Sequence, residues 1–290
     1  MALEEVYKGE NVDEVVELLD KYGKDAKIIA GGTDIVIDLR NNRIDPKVLI
    51  DISSIEELKG IKDKGEYIEI GAGVSFTQVV ENPLFERNLY GLNKACHMVG
   101  SPQIRNKGTL GGNIANGSPA ADSIPPLICL NSTLILKSVR GRREISIEDY
   151  YKDENEKIRP DELLVSIGFK KPKENQVLSF AKLGLRKALA ISRLSIAILV
   201  ELDEEGKIIN IEVASGSLGK YPMRELELEQ FLLGKKLEDS TVDEGVLVLQ
   251  RAMEKRLAGR STFPYKRVAV DRMFREALEE AMKYLDEVRL

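Results

Sequence analysis

Two glycine-rich segments, each placed where an apolar run ends, constrain the fold of this chain more than any other feature. The first is IIAGGTD (residues 28–34) and the second is KGTLGGNIANGSPAAD (residues 107–122). Glycine lacks a β-carbon, so both segments predict places where the backbone comes close to another group. Neither has the spacing of a standard phosphate loop. GAGVSF (residues 71–76) has Phe76 where the third glycine of G-x-G-x-x-G belongs, and the sequence contains no G-x-x-x-x-G-K-[ST].

The residue types of the first segment nevertheless favour a bound anion. Gly31 and Gly32 allow backbone N–H groups to face outward and converge, and Thr33 adds a small hydroxyl donor. Asp34 is predicted to cap a helix over residues 35–40. The N-terminal dipole of that helix would favour a phosphate by roughly 0.3–1 kcal/mol.

The second segment is predicted to repeat this arrangement. It places hydroxyl, glycine and amide groups in the same order, at Thr109, Gly111, Gly112 and Asn113. Further along, Asp122 is suited to accept hydrogen bonds from ribose or ribityl hydroxyls. Either segment alone is equally well explained as a tight structural turn. The two together predict one extended ligand that contains a diphosphate.

Charge and hydropathy exclude several classes of partner. The chain has 43 Lys and Arg and 48 Asp and Glu residues, a net charge of −5, with no basic block, so neither nucleic acid nor an anionic membrane is a predicted partner. No apolar run approaches the roughly 20 residues that a membrane span needs. The acidic N-terminus lacks the features of a secretion signal, and we expect a cytoplasmic protein.

Histidine and cysteine usage excludes most chemistry by the chain's own side chains. His97 is the only histidine, and Cys96 and Cys129 form no C-x-x-C pair. Hydrolase triads, zinc sites and iron–sulfur clusters are therefore not predicted, and no residue is assigned to catalysis or to a metal. Both cysteines are expected to be core residues. If the chain takes part in catalysis, its reactive group is one that it binds and not one of its own side chains.

Hydrophobic periodicity predicts an α+β chain. Its three regions are residues 1–54, 55–172 and 177–290. The first helix is predicted over residues 12–22, with Asn11 as N-cap and Gly23 as its end. The other elements predicted before residue 172 are strands at 27–30, 47–53, 67–70, 133–138 and 163–169, a helix capped by Ser75 and Gln78, and a helix at 90–99. The polar run at 150–162 is expected to be an exposed excursion.

The third region is predicted to combine a β-hairpin with helices. Its turn lies at residues 203–206, and helices follow at about 223–234, 241–257 and 268–288. An apolar stripe on the last helix is expected to pack onto the hairpin sheet. Its members are Val270, Met273, Phe274, Ala277, Leu278, Ala281, Leu285 and Val288.

Five segments, taken in order, resemble one protein family. They are KIIAGGTDIVIDLR, IGAGVSFTQVVENP, VGSPQIRNKGTLGGNIANGSPAADSIPPL, LSFAKLGLRKALAIS and GRSTFPYKRVAV. Together they closely resemble the FAD-binding, medium subunit of the molybdenum hydroxylases, the xanthine dehydrogenase family. The resemblance covers nearly the whole chain. GSPQIRNKGTLGGN and RKALAIS are more similar to the purine and nicotinate branches than to the aldehyde branch.

The resemblance implies a fold of three parts. Two N-terminal subdomains, residues 1–54 and 55–172, would form a PCMH-type FAD-binding fold. Residues 177–290 would form a C-terminal α+β domain with a small antiparallel sheet and helices.

The resemblance also implies which residues contact FAD. The first glycine segment would hold the pyrophosphate through Ile29, Ala30, Gly31, Gly32, Thr33, Asp34 and Ile35. The second would lie along the ribityl chain and flavin through Gly100, Ile104, Gly108, Thr109, Gly112 and Asn113. Further matches are Asp122, the apolar pair Leu163 and Leu164, and Lys182 near the flavin. Val99 stands where some relatives hold an aromatic that stacks on the ring, so the residue that covers the ring stays open.

Chemistry alone supports the role of Lys182 only in part. A cation near the carbonyl edge of the ring would stabilise the reduced, anionic flavin and raise its potential. Without the resemblance, a lysine at this place is expected to be a solvated surface charge.

The resemblance implies that the chain is an electron-transfer subunit that binds FAD non-covalently. A molybdopterin-binding large subunit would hydroxylate the substrate, and a [2Fe–2S] small subunit would relay electrons to this chain's FAD. NAD⁺ or another acceptor would then receive them. Purine, nicotinate, carbon monoxide and aldehyde all stay open as substrates of the complete enzyme.

Two functions of other classes also stay open. A self-sufficient flavin oxidoreductase would turn over a small organic substrate without partners. A cofactor-less assembly module would purify without FAD.

Overall fold

The computed structural model describes residues 3–186 and 189–289, with the backbone alone for Val288 and Arg289. The strands, in chain order, are β1 (Glu5–Lys8), β2 (Ala26–Ile29), β3 (Val48–Asp51), β4 (Ile61–Asp63), β5 (Tyr67–Gly71), β6 (Thr133–Ser138), β7 (Gly141–Ser146), β8 (Leu163–Lys170), β9 (Gln176–Gly184), β10 (Ser192–Leu202), β11 (Ile208–Gly216) and β12 (Met223–Arg224). The helices are α1 (Val12–Tyr22), α2 (Ile35–Arg40), α3 (Phe76–Val80), α4 (Tyr90–His97), α5 (Pro102–Arg105), α6 (Leu110–Asn116), α7 (Ile124–Cys129), α8 (Ile147–Lys152), α9 (Leu226–Leu232), α10 (Asp239–Leu257) and α11 (Phe263–Arg289).

By their internal contacts the residues form two compact units. Unit 1 comprises Met1–Val79, Ser101–Gly117 and Ser132–Lys171, and unit 2 comprises Val80–Gly100, Ser118–Asn131 and Pro172–Leu290. Unit 1 contains two sheets, one from each predicted N-terminal subdomain. The boundary at 54/55 stays a prediction.

The first sheet of unit 1 is parallel, with strand order β1-β3-β2. Helix α1 packs on it through Val12, Val15, Val16 and Leu19, all of which belong to one buried core. The predicted helix start is confirmed, since Asn11 Oδ1 accepts from Glu14 N at 2.9 Å. The predicted end is confirmed as well, because Gly23 has a φ of 49°. The sequence-based prediction missed β1.

The second sheet of unit 1 is antiparallel, with strand order β4-β5-β8-β6-β7. Its core side chains include Ile68, Ile70, Leu134, Leu136 and Ile167, each fully buried. The capping box predicted for the helix after β5 is confirmed. Ser75 N donates to Gln78 Oε1 at 2.9 Å, and Gln78 N donates to Ser75 Oγ at 3.2 Å.

The expectation that residues 150–162 form an exposed excursion is wrong at both ends. Tyr150 and Tyr151 are buried, and the Tyr151 hydroxyl donates to Ile114 O at 2.8 Å. Glu162 is buried as well and accepts from Arg143 Nη2 at 2.9 Å. Polar residues in the middle of the run dominate its composition, and this composition led to the prediction of exposure. The aromatic start and the ion-paired end of the run nevertheless pack within unit 1.

Unit 2 is built on a four-stranded antiparallel sheet with order β12-β11-β10-β9. The predicted hairpin is confirmed as β10 and β11, with Ile198 opposite Val213. Alternate residues of β10, such as Ile196 and Ile198, join one core with α9, α10 and α11. The predicted stripe on α11 is confirmed from Val270 to Leu285, and the Val288 side chain lies outside the described residues.

The two cysteines are buried in unit 2, on helices α4 and α7. Cys129 Sγ of α7 donates to Ala197 O at 3.3 Å, and Cys96 of α4 is equally buried. Both thiols are free, and burial raises the pKa of Cys129 to about 12. The expectation that both cysteines are core residues is confirmed.

The sequence-based prediction missed β9, the outer strand of this sheet. Among the described strands, β9 pairs only with β10 and has no strand on its other side. On the other side, Glu280 of α11 accepts from Phe180 N at 3.1 Å and from Lys94 Nζ at 2.8 Å.

Among the described residues, no helix is long and apolar enough to cross a membrane.

Candidate cofactor-binding site

The first glycine segment is the turn that joins β2 to α2. Gly32 has a φ of +73°, a conformation that side chains other than glycine rarely adopt. A β-carbon at Gly32 would have room, since the nearest atom would be Val36 Cγ2 at 3.4 Å. Glycine is therefore required at position 32 because of its backbone dihedral angle, and not because a side chain would collide with a neighbour.

Five consecutive backbone N–H groups in this turn, those of residues 31–35, donate no hydrogen bond to any described part of the chain. Carbonyls of the same turn are paired, because Gly32 O accepts from Val36 N at 3.2 Å and Asp34 O accepts from Asp38 N at 3.1 Å. The turn is partly open to solvent. Successive unpaired N–H groups in a turn are the chemistry that binds a phosphate oxygen.

The predicted cap by Asp34 is wrong. Asp34 stands at the N-cap position of α2, but its side chain makes no capping hydrogen bond. A capping residue needs an extended backbone, whereas Asp34 has helical dihedrals, φ −107° and ψ −53°. Its carboxylate instead lies 3.4 Å from Thr33 Oγ1, which donates to it.

The second glycine segment does not repeat the turn, because residues 110–116 form helix α6. Thr109 caps this helix, and its Oγ1 accepts from Gly112 N at 3.0 Å. The Thr109 hydroxyl oxygen is thus occupied by the chain itself. Leu110 and Ile114 are both buried, and this i, i+4 spacing with a threonine cap is the signal that the two adjacent glycines obscured.

Gly111 is required by packing within unit 1 rather than by a ligand. A β-carbon there would lie 2.6 Å from Ala72 Cβ. Gly112 is different, since it is exposed and a β-carbon would meet only Thr109 Oγ1, at 2.9 Å. The outward face of α6 at Gly112 is therefore open to a ligand.

The two glycine segments meet through their backbones. A β-carbon at Gly31 would overlap the carbonyl of Lys107 and would lie 3.0 Å from Gly108 N. The start of the second segment is itself fixed, because Gly108 N donates to Ile104 O at 2.7 Å and Gly108 O accepts from Phe76 N at 3.2 Å. The structure thus brings Gly31 against residues 107–108, a contact that no local sequence pattern reveals.

The remaining unit 1 residues implied by the resemblance differ in exposure. Ile104 of α5 is exposed, and Asn113 lies on α6. Leu163 and Leu164 begin β8 and are both buried, Leu163 in the same core as α1. Core packing accounts for their burial, and contact with a cofactor stays a prediction for all four.

In unit 2, Lys182 and Asp122 form a buried ion pair. Lys182 Nζ lies 2.5 Å from Asp122 Oδ2, and the two side chains are 4% and 6% exposed. Lys182 also donates to Met98 O at 2.9 Å. The expectation of a solvated lysine, drawn from the residues without the resemblance, is wrong. The Met98 carbonyl was missed because a backbone acceptor leaves no trace in residue type.

Asp122 has one carboxylate oxygen to spare. Its Oδ2 is taken by Lys182, while its buried Oδ1 has no hydrogen-bond partner among the described residues. Burial raises the pKa of Asp122 to about 6, even though Lys182 acts in the opposite direction.

Val99 and Gly100 belong to unit 2 as well, directly after α4, and Gly100 has a φ of +46°.

Two family models cover most of the chain. The FAD binding domain in molybdopterin dehydrogenase matches residues 2–170, and the CO dehydrogenase flavoprotein C-terminal domain matches residues 179–281. The chain belongs to the FAD-binding subunits of the molybdenum hydroxylases. It is an FAD-dependent oxidoreductase subunit, and the family implied by the five sequence segments is confirmed.

Individual relatives agree with this assignment over at least 95% of their length. The nicotinate dehydrogenase FAD-subunit of Eubacterium barkeri is 33% identical over 288 residues, 97% of each chain. The carbon monoxide dehydrogenase medium chain of Afipia carboxidovorans is 26% identical and is covered to 95%. A solved Cu,Mo-CO dehydrogenase superposes with a TM-score of 0.89 at 26% identity, covering 98% of this chain and 100% of the other. The predicted fold class is confirmed.

Proposed function

We propose that this chain is the electron-transfer subunit of a molybdenum-dependent dehydrogenase and that it binds the FAD diphosphate through the turn at residues 31–35. The observation that carries the proposal is the run of five unpaired N–H groups in that turn, in a chain that belongs to an FAD-binding family. When bound, FAD would supply the redox chemistry of the subunit, with [2Fe–2S] clusters of a small subunit as the electron donor and NAD⁺ or another compound as the acceptor.

The chain's own residues bind and orient the cofactor in this proposal. The N–H groups of residues 31–35 hold the diphosphate, and the open face at Gly112 allows close approach of the cofactor to α6. The Lys182 side chain is held in place by Asp122 and the Met98 carbonyl. A cation fixed in this way would stabilise negative charge on a flavin. The other proposed contacts are Ile29, Ala30, Val99, Gly100, Ile104, Gly108, Thr109, Asn113, Leu163 and Leu164.

The substrate is hydroxylated by a molybdopterin-binding large subunit, and we infer that it is an aromatic N-heterocycle. The nicotinate dehydrogenase subunit of Eubacterium barkeri is 33% identical and a putative xanthine dehydrogenase subunit of Escherichia coli is 30% identical. The carbon monoxide dehydrogenase chain of Afipia carboxidovorans is 26% identical.

A visible absorption spectrum of the purified chain tests the proposal. We expect a yellow protein that releases FAD on denaturation and has no steady turnover of small organic substrates by itself. A colourless chain that cannot be loaded with FAD would contradict the proposal. Co-purification with molybdenum and iron–sulfur polypeptides from the native source tests the partners, and a chain that associates with neither contradicts that part.

Replacing Gly32 with valine is expected to lower FAD affinity by at least about tenfold. A β-branched residue at φ +73° stores strain of roughly 1–3 kcal/mol, so the turn relaxes and its N–H groups are displaced. Isothermal titration of the apoprotein with FAD measures the change. Gly32→Asn is the matched control, because asparagine tolerates the left-handed conformation, and it should retain more of the affinity. Full flavin occupancy in Gly32→Val would contradict the diphosphate assignment.

A further inference from the structure

The turn at residues 31–35 offers dipoles to an anion but no positive side chain. Its charged residue is Asp34, an exposed carboxylate of the same sign as a diphosphate. Helix α2, which follows, has only six residues, so its dipole is small. Backbone N–H groups alone carry partial charges, and a diphosphate in this turn lacks a full counter-charge.

Lys107 is the cation whose backbone touches the turn. Its carbonyl lies directly against Gly31. Two cations on or just after α2 are placed differently. Arg43 is paired with Asp38 at 3.3 Å, and Arg40 lies at the far end of α2 from the turn.

The backbone of Lys107 is fixed while its side chain is unpaired. Lys107 N donates to Ile104 O at 3.1 Å, as does Gly108 N at 2.7 Å, so the main chain is held next to the turn. The Lys107 side chain is exposed and forms no ion pair or hydrogen bond with the described residues. A flexible four-carbon stem that starts beside Gly31 can bring an ammonium group to an anion on the turn.

We propose that Lys107 donates a charge-assisted hydrogen bond to the diphosphate held by the turn and is a further cofactor-binding residue. The proposal rests on the function proposed above. Position 107 acts twice, since its carbonyl packs on Gly31 and its side chain supplies the counter-charge that Asp34 and the backbone dipoles lack.

Titration of the apoprotein with FAD, followed by flavin fluorescence at several salt concentrations, tests the role of Lys107. We expect Lys107→Met to raise the Kd for FAD about tenfold and to weaken its dependence on salt. Lys107→Arg, which keeps the charge, should stay within a few-fold of wild type. Lys62→Met is the matched control, an exposed lysine of unit 1 without an ion pair, and it should bind FAD as wild type does.

Each other outcome overturns the inference or the proposed function separately. Unchanged affinity and salt dependence in Lys107→Met would overturn the role of Lys107 and leave the proposed function standing. Equal losses in Lys107→Met and Lys62→Met would show a general charge effect. Equal losses in Lys107→Met and Lys107→Arg, with a lowered apoprotein Tm, would show a structural effect. Failure of the wild-type chain to bind FAD would overturn the proposed function itself.

Discussion

Replacing Gly31 with alanine is expected to weaken FAD binding by about 10- to 100-fold. A β-carbon there would overlap the carbonyl of Lys107, and a backbone carbonyl held by neighbouring hydrogen bonds cannot rotate away as a side chain can. Overpacking of this kind costs roughly 1–3 kcal/mol, and the five N–H groups of the turn would move with the displaced segment.

Isothermal titration with FAD and thermal melting of the apoprotein together measure this effect. Gly60→Ala is the matched control, because a β-carbon at Gly60 would meet only Lys62 side-chain atoms, the nearest at 3.4 Å. It should leave both measurements close to wild type. Wild-type affinity in Gly31→Ala would show that the contact between the glycine segments is not needed for binding.

Replacing Lys182 with methionine is expected to lower the free energy of unfolding by about 3–5 kcal/mol. Lys182 is the cation paired with Asp122, and both side chains are buried, so the variant leaves a carboxylate without a counter-charge. Adding Asp122→Asn to Lys182→Met should restore most of the loss. Urea unfolding measures all three proteins.

An ion pair whose cation is exposed provides the control for this experiment. Lys173 Nζ lies 3.2 Å from Glu201, but the Lys173 side chain is 65% exposed. Lys173→Met should therefore cost less than about 1 kcal/mol. Equal losses in Lys182→Met and Lys173→Met would contradict the importance of burial.

The loss in Lys182→Met should also grow as pH rises. Asp122 already has a folded-state pKa of about 6, above its usual value, because of burial. Removal of Lys182 raises this pKa further, so the native state binds the proton more tightly than the unfolded state does. Stability then falls as pH rises from the unfolded pKa of about 4 to the folded one. A difference from wild type that is as large at pH 5 as at pH 8 would contradict this sign.

Local signals were sufficient for elements whose own residues carry both a cap and a periodic face. Helix α1 was predicted to its ends because Asn11, the spacing of its valines and Gly23 all agree. The stripe on α11 was equally clear. The strand β9 was missed, since its inward and outward residues are both largely apolar or small and lack a clean alternation.

The site was predictable by residue type but not by role. Gly31 and Gly32 look alike in sequence, yet one is required by a contact with Lys107 and the other by its dihedral angle. The contacts of Lys107 with Gly31, of Met98 with Lys182 and of Ala72 with Gly111 each join residues distant in sequence. The first two also involve backbone carbonyls. Such contacts are long-range, and composition and periodicity contain no information about them.

The contact of Glu280 with β9 has a consequence for association. An outer strand presents unpaired N–H groups that a second chain can extend as a sheet. Glu280 occupies one of these, on Phe180, and Lys94 holds the carboxylate in place. A charged side chain from the longest helix of unit 2 thus occupies an N–H group of the outer strand, so that unfolding of α11 would free this group for pairing with a second chain.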